Sequence, residues 1–242
     1  MSFLASVVAW LADPANWQGA DGIPTRIVQH LALSGVAVLI TVAVALPAGV
    51  VLGHARRGAG VVINVANVGR ALPSLAVLAL VLPLSFRLGL GLGFWPTVLM
   101  LVPLGIPLVL INSYVAVSTV DRDAVDVARG LGLRGAQVLR QVELPLAVPL
   151  IVAGVRNAAV TIVATATLGA LVASGGLGRY IVDGLARQDQ PRLFVGAALV
   201  ALLSAATELL FNLVERLVTP AGVRLGGTAG GARQRAAAFS AR

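Results

Sequence analysis

The clearest pattern for specific chemistry lies in the charged stretch VDRDAVDVARGLGLRGAQVLRQVELPLAVP, residues 120–149. Asp123 stands where a side-chain oxygen would accept hydrogen bonds from the free amides of a helix start. Asp126 follows three residues later, as the acidic member of a capping box does, and Gly130 is placed to end the helix. The pattern predicts a short, charged helix between two apolar stretches.

A second short helix is expected over about 134–142, with its apolar residues on one side. Hinges at Gly130 and Gly132 would fold the two helices into a compact unit, called the knob below and defined as residues 118–145. Amphipathic helices of this kind fit grooves on partner proteins, and small residues such as Ala128 and Gly132 would allow close approach. The predicted chemistry is therefore recognition of a partner, not catalysis.

Three further charges fall inside apolar stretches: Arg70, Arg156 and Glu208. Ionisable groups at bilayer depth are costly and usually face a cavity, a bundle interior or an opposite charge. Each lies about 15 Å from the expected cytoplasmic end of its helix, at 1.5 Å per residue. We expect Glu208 to pair with Arg156 or Arg70 and the surplus positive charge to border a pathway or a facing subunit. Packing pairs and arginines that reach back to the interface are the alternative.

Several kinds of chemistry are excluded by residue type. All eighteen basic residues are arginines, so a phosphate-binding loop that needs lysine is absent from this sequence. The chain has no cysteine and two histidines, His30 and His54, which excludes disulfides and any Cys/His zinc site. If ATP drives this protein, we expect another chain to hydrolyse it.

The elements that must position these residues are membrane spans. Hydrophobic residues make up 58% of the chain, charged residues 12%, and the mean hydropathy is +0.93. An ordinary soluble domain has about 25% charged residues, and a helical span needs about 20 mostly apolar residues. The sequence predicts an all-α integral membrane protein, a bundle of about five transmembrane helices. The qualifying stretches are 31–53, 61–84, 94–117, 146–173 and 193–218.

Arginine placement predicts the orientation. With the N-terminus outside, eleven arginines face the cytoplasm and five face outward, and the knob is cytoplasmic. We expect residues 1–30 to form an extracytoplasmic segment in which 3–12 is an interfacial helix, with a sixth span as the alternative. Residues 31–218 would then be the transmembrane domain. Residues 219–242 have no apolar face and are expected to form a disordered basic cytoplasmic tail.

The knob resembles the cytoplasmic signature of ABC importer permeases. In that signature Glu-Ala-Ala is followed after a gap of three residues by Gly and after a further gap of nine by Ile-x-Leu-Pro, and residues 126–145 match this spacing throughout. Asp replaces Glu, Val replaces the first Ala, and Val replaces Ile. The matching positions are Asp126, Val127 and Ala128, then Gly132, then Val142, Leu144 and Pro145. The resemblance implies that these residues, with Asp123 and Gly130, dock onto an ATPase.

Beyond the knob, the runs 71–84, 142–158 and 164–185 resemble permeases of the glycine betaine, carnitine, choline and proline group. The likeness covers most of residues 28–218 and implies a bacterial inner-membrane importer of osmoprotectants. It also implies a second permease subunit, cytoplasmic ATPase subunits that bind ATP and Mg²⁺, and an extracytoplasmic substrate-binding protein. Relatives with a fused binding domain are longer, so we expect a separate binding protein and no cofactor in this chain.

The stretch SGGLGRYIVDG, residues 174–184, lies on the predicted outer face. It has no lysine and does not follow a strand, so it does not fit a phosphate loop. A turn containing Gly175, Gly176 and Gly178, followed by a short helix with Asp183, is expected to contact the binding protein. Solvated loop charges are the alternative.

Other functional classes remain open at this point. The nearest is an ABC permease for another small solute, such as an amino acid or a sulfonate. A stand-alone secondary transporter is disfavoured by the knob and by the lack of an acidic relay beyond Glu208. A membrane-embedded enzyme is disfavoured because the sequence offers no paired carboxylates, metal-ligand cluster or nucleophile with a base.

Overall fold

The computed structural model describes residues 2–219. Three shorter helical segments occur beside the α-helices: a 3₁₀ turn, Pro14–Trp17, a π turn, Leu139–Glu143, and a 3₁₀ segment, Ala166–Val172. The predicted all-α class is confirmed. The helices are α1 (Phe3–Ala12), α2 (Ile23–Ala55), α3 (Ala59–Ala71), α4 (Ser74–Arg87), α5 (Phe94–Ser118), α6 (Arg122–Gly130), α7 (Gly135–Val138), α8 (Leu144–Thr165), α9 (Gly178–Ala186) and α10 (Gln190–Val218).

The spans agree in number with the prediction of about five. Within residues 2–219, four helical stretches are long and apolar enough to cross a bilayer: α2, α5, α10 and the continuous stretch Gly135–Val172. The pair α3 and α4 supplies a fifth crossing if it is taken as one broken span. The first span starts at Ile23, earlier than the expected residue 31, with Gly22 at its N-cap.

The second span is broken, whereas the sequence predicted one helix over 61–84. The axes of α3 and α4 meet at 95°. Pro73 lacks an amide hydrogen and cannot continue the hydrogen bonds of α3, and it forces Leu72 before it into an extended conformation. Beside the break, Gly69 lies so close to α5 that an added Cβ would be 2.1 Å from Cγ of Pro107.

Glycines allow α2, α5 and α8 to form the centre of the bundle. A Cβ added at Gly49 of α2 would lie 2.7 Å from Cβ of Ser113, and one at Gly154 of α8 would lie 2.4 Å from Cβ of Asn112. Both serine and asparagine belong to α5. Small residues at such crossings let helix backbones pack closely where lipid provides no hydrophobic drive.

The helix α1 has the predicted bounds and is too short for a sixth span. Its 10 residues extend about 15 Å, half the thickness of a hydrocarbon core. Phe3 makes an edge-to-face contact with Phe194 at 5.4 Å between ring centroids, and Trp10 does so with Tyr180 at 5.6 Å. The N-terminal helix is therefore held against α9 and α10.

Candidate functional site

The first helix of the knob, α6, is capped two residues earlier than the sequence suggested. Oδ1 of Asp121 accepts from the amide of Asp123 at 3.0 Å, so Asp121 is the cap. The cap predicted at Asp123 was wrong, and Asp123 lies instead in the first turn, where a negative charge favours the helix dipole. Asp126 is exposed and lies 4.0 Å from Arg129.

Gly132 ends α6, a role that the sequence had assigned to Gly130. The amide of Leu133 donates to the carbonyl of Ala128 at 3.2 Å, and the amide of Gly132 donates to the carbonyl of Arg129 at 2.9 Å. These two bonds define a Schellman motif, which needs a left-handed residue at the position of Gly132. Its φ is +89°, a conformation that side chains disfavour. Gly130 remains inside the helix.

The knob has a small apolar core of its own. Ala128 belongs to this core, which corrects the expectation that it faces a partner; it is 6% exposed. Val127 and Leu131, four residues apart on the opposite side of α6, are 64% and 77% exposed. Leu131 was missed, although its spacing from Val127 could have revealed a second apolar face. The buried core residues are Val120, Val125, Ala128 and Val138, with Leu133 and Val142 packed against them.

The second helix of the knob does not stop at residue 142 as expected. The four-residue α7 passes through the π turn directly into α8, so knob and span are one continuous helical stretch. Leu144 is the first residue of α8 and Pro145 the second, and the amide of Leu144 donates to the carbonyl of Leu139 with the spacing of the π turn, so helical bonding continues up to the proline. Pro145 therefore does not interrupt the helix. The second helix of the knob is thus joined to α8 without a loop between them.

A hydrogen bond to a buried carboxylate joins the knob to the C-terminal end of α2. Glu143, the last residue of the π turn, is 1% exposed, and its Oε2 lies 2.5 Å from Nδ1 of His54. Nearby, Nη2 of Arg56 donates to the carbonyl of Val120 at 3.0 Å. Neither His54 nor Glu143 was among the predicted site residues, since the two are 89 positions apart in sequence.

Next to this pair is a recess of about 340 Å³ between α6 and the end of α2. Its charged side chains comprise three arginines and one aspartate, so it is electropositive. We call it the cationic recess. It is lined by His54, Ala55, Arg56, Arg122, Val125, Asp126 and Arg129. Such a surface favours acidic side chains of a partner.

Between two of the spans, Arg156 of α8 meets two carboxylates of α10. Its Nε lies 3.4 Å from Oε1 of Glu208, and its Nη1 lies 3.1 Å from Oε2 of Glu215. Asn212 also accepts from Arg156, and its Nδ2 donates to Glu208 at 3.3 Å. We call these four residues the polar cluster. The pairing predicted for Glu208 is confirmed with Arg156 as its partner, while the side chain of Arg70 lies outside the described part of the chain.

Glu215 was not among the predicted site residues; it lies in the last turn of α10. Residues 208, 212 and 215 recur at helical spacing, which places them on one side of α10. The cluster remains partly open: Glu208 is 43% exposed, Glu215 30% and Arg156 20%. Within the described residues, two carboxylates face the guanidinium of Arg156. The surplus positive charge expected here depends on Arg70, whose side chain is not described, so it stays a prediction. The expected basic tail, 219–242, lies outside the described residues from 220 onward.

In the stretch 174–184, which was predicted to lie on the outer face, the glycines serve internal packing. The amide of Gly176 donates to Oε1 of Gln29 at 3.0 Å, and Gly175 and Gly176 have φ of +78° and +71°. A Cβ at Gly178 would lie 2.2 Å from the carbonyl oxygen of Thr167. Because Gly176 and Gly178 are buried, a contact with a binding protein would have to be made by their neighbours.

Asp183 is held between two arginines. Its carboxylate lies 2.9 Å from Nη2 of Arg179 and 3.5 Å from Nη2 of Arg192. The guanidinium of Arg192 also lies over the ring of Tyr180, 5.5 Å from its centroid. The Tyr180 hydroxyl donates to the carbonyl of Asp21 at 2.5 Å, and burial raises the pKa of Tyr180 above its ordinary value of 10.0. These contacts fix α9 against the start of α2.

Comparison with protein families gives one match, over residues 45–220, to the model described as binding-protein-dependent transport system inner membrane component. Among curated relatives, the choline transport system permease protein OpuBB of Bacillus subtilis is 37% identical, covering 81% of this chain and 88% of that protein. The carnitine transport permease protein OpuCB of Listeria monocytogenes is 35% identical with the same coverage. The osmoprotectant import permease protein OsmW of Salmonella typhimurium is 30% identical, covering 81% and 91%.

Solved structures show the same fold. A chain of the MetNI methionine ABC transporter in an inward-facing conformation matches with a TM-score of 0.74 at 21% identity, covering 86% of this chain and 100% of that one. A chain of an amino acid ABC transporter matches with a TM-score of 0.66 at 19% identity, covering 89% and 98%. The arrangement of spans is thus that of these transporter chains.

Proposed function

The chain belongs to the family of inner membrane components of binding-protein-dependent transport systems, and we propose that it is the permease subunit of an ABC importer for osmoprotectants. The proposed cargo is glycine betaine, choline, carnitine or proline. Relatives named for choline, glycine betaine and carnitine transport support this class of cargo. The chain would act in the bacterial cytoplasmic membrane as a multi-pass protein and would not itself be an enzyme.

The observation that carries the proposal is the knob, which combines an electropositive recess with exposed apolar side chains. Val127 and Leu131 offer an apolar contact, and the cationic recess offers charge complementary to acidic residues. A surface with a few apolar anchors beside complementary charges suits a protein groove. We propose that a cytoplasmic ATPase, which binds ATP and Mg²⁺ itself, docks here.

Two further partners complete the proposed importer. A second permease subunit, identical or homologous, would face this one. A separate extracytoplasmic binding protein would deliver the cargo to the outer side, near the 174–184 stretch, where Asp183 and its two arginines form a rigid charged edge.

The cargo is tested with the chain reconstituted in liposomes together with its ATPase and binding protein. Uptake of labelled glycine betaine, choline, carnitine and proline is measured with and without internal ATP, and methionine and histidine serve as controls. ATP-dependent uptake of at least one osmoprotectant, with none of the controls, is the expected result. Uptake of a control amino acid in place of all four osmoprotectants would refute the cargo class.

The docking surface is tested by charge reversal at the cationic recess. Arg122→Glu should weaken ATPase association about tenfold or more, because attraction becomes repulsion. Arg57→Glu is the matched control, because Arg57 is an exposed arginine that does not line the recess. Equal weakening in both proteins would show a general charge effect and contradict docking at the recess.

A further inference from the structure

Glu143 is a buried carboxylate that the proposed docking surface does not use. A carboxylate with 1% exposure is costly unless a specific partner compensates its charge. The partner, His54, belongs to the last turn of α2, and the two atoms that meet are 2.5 Å apart. The pair therefore connects two different spans at the point where the knob leaves the membrane.

The π turn explains how the carboxylate reaches this position. A π turn holds one more residue than an α turn, so it rotates the residues that follow relative to those before it. Before the turn, Val138 faces the core of the knob and is fully buried; at its end, Glu143 faces α2. Such turns are rare and occur often at functional sites.

Other contacts hold the same three parts together. A Cβ added at Gly135 would lie 3.5 Å from Nε2 of His54, so the start of α7 approaches the other edge of the imidazole. Leu139 and Leu144, on either side of Glu143, pack with Val50 of α2 against one apolar cluster. The base of the knob, the start of α8 and the end of α2 thus form one packed unit.

The groups that face the pair come from each element around it. Arg56 follows His54 at the end of α2, and its side chain binds the carbonyl of Val120. From α6, the recess beside His54 receives Arg122, Asp126 and Arg129. His54 is 25% exposed on this side, while Glu143 is shielded. A partner docked at the recess would therefore lie directly against the exposed edge of the pair.

We propose that His54 and Glu143 are positioning residues that make α2 move with the knob when the docked ATPase moves it. The inference rests on the proposed function, because it needs an ATPase at the knob. The covalent chain already connects the knob to α8 through the π turn. The bond between His54 and Glu143 strengthens the contact with α2, so that α2 follows the same displacement. Without it, α2 is held to the knob only by the apolar cluster and the Arg56 bond, and it should follow the knob less closely.

A purely structural role makes a different prediction. If the pair only stabilises the fold, its loss lowers the amount of assembled complex, and each remaining complex works normally. If the pair couples motion, assembled complexes hydrolyse ATP but move less cargo for each ATP. The ratio of cargo transported to ATP hydrolysed separates the two roles.

The first experiment compares Glu143→Gln with Ser85→Ala in the reconstituted complex. Ser85 is the matched control, because it is also buried and donates one hydrogen bond, to the carbonyl of Gly91 at 2.7 Å, but lies far along the chain from the knob. Glu143→Gln should lower cargo per ATP about fivefold or more, in the usual range of coupling between sites. Ser85→Ala should leave the ratio unchanged.

The second experiment uses the absence of cysteine from the sequence. His54→Cys with Glu143→Cys should be uncoupled when reduced and should regain coupling when a short, cleavable thiol cross-linker joins the two positions. The same molecules are compared before and after cross-linking, so a folding defect cannot explain recovery. Normal cargo per ATP in the reduced protein or in Glu143→Gln, or no recovery on cross-linking, would overturn the inference. Failure of the proposed function would differ, since the wild-type complex would then show no ATP-driven uptake.

Discussion

Replacing Gly132 tests whether the end of α6 determines the shape of the knob. Gly132 has a φ of +89°, and among the described residues nothing lies within 4 Å of a Cβ built there. The cost of Gly132→Ala is therefore backbone strain without steric clash, about 1–2 kcal/mol for a left-handed residue with a side chain. A change of that size raises the population of locally opened knob by a factor of about 5–30.

Gly130→Ala is the matched control. Gly130 lies in α6 without a positive φ, and its Cβ would also meet nothing within 4 Å of the described residues. Alanine favours a helix over glycine by up to about 1 kcal/mol, so this variant should open no more than wild type. Amide hydrogen exchange over residues 121–143, together with cargo transported per ATP, measures both effects. Membrane insertion should be unaffected.

Gly132→Leu separates strain from contact with the partner. Because the site is open in the isolated chain, leucine should cost about as much as alanine in hydrogen exchange. If the ATPase approaches Gly132 closely, leucine should reduce uptake much further than alanine. Protection of the knob in Gly132→Ala equal to wild type, or equal opening in Gly130→Ala, would refute the reasoning from φ.

Three further predictions concern the bundle and the outer side. Glu208→Gln or Glu215→Gln alone should reduce uptake or assembly mildly, since Arg156 keeps one carboxylate partner. The double variant should reduce uptake or assembly by more than the sum of the two single effects, which a double-mutant cycle measures. Gly154→Ala should lower the free energy of unfolding by about 1–3 kcal/mol, because the added methyl group overpacks the contact with α5. Gly35→Ala should not lower it, because no described residue lies within 4 Å of a Cβ at Gly35. Tyr180→Phe should cost about 1 kcal/mol by loss of its hydroxyl bond. Because the pKa of Tyr180 is raised on folding, the protonated tyrosine contributes to the free energy of unfolding below its unfolded pKa, and this contribution is lost as the pH rises through the folded pKa. The loss of stability at alkaline pH should therefore be smaller in the phenylalanine variant.

The knob shows how far spacing alone can predict a site. Its position and its two short helices followed from polarity and glycine placement. The sequence did not predict the cap at Asp121 or the stop at Gly132, because two aspartates could cap the helix and two glycines could end it. It also did not predict that Ala128 faces the core of the knob. Which candidate is used depends on how α6 rotates to pack Val125 and Ala128 against Val138 of α7, and that rotation is a property of the packed knob.

The sequence by itself determined the class of the protein. Apolar length is a one-dimensional property, so it specifies the spans before any packing, and arginine placement predicts their orientation in the same way. Tertiary structure decided which charges meet. Glu143 pairs with His54 across 89 positions, and Arg156 takes Glu215 in addition to Glu208. Such pairs depend on the rotation and depth of each helix in the bundle. Close contacts at glycines such as Gly154 and the π turn before α8 set that rotation and depth. Neither feature produces a periodic pattern of residues that could be recognised in the sequence.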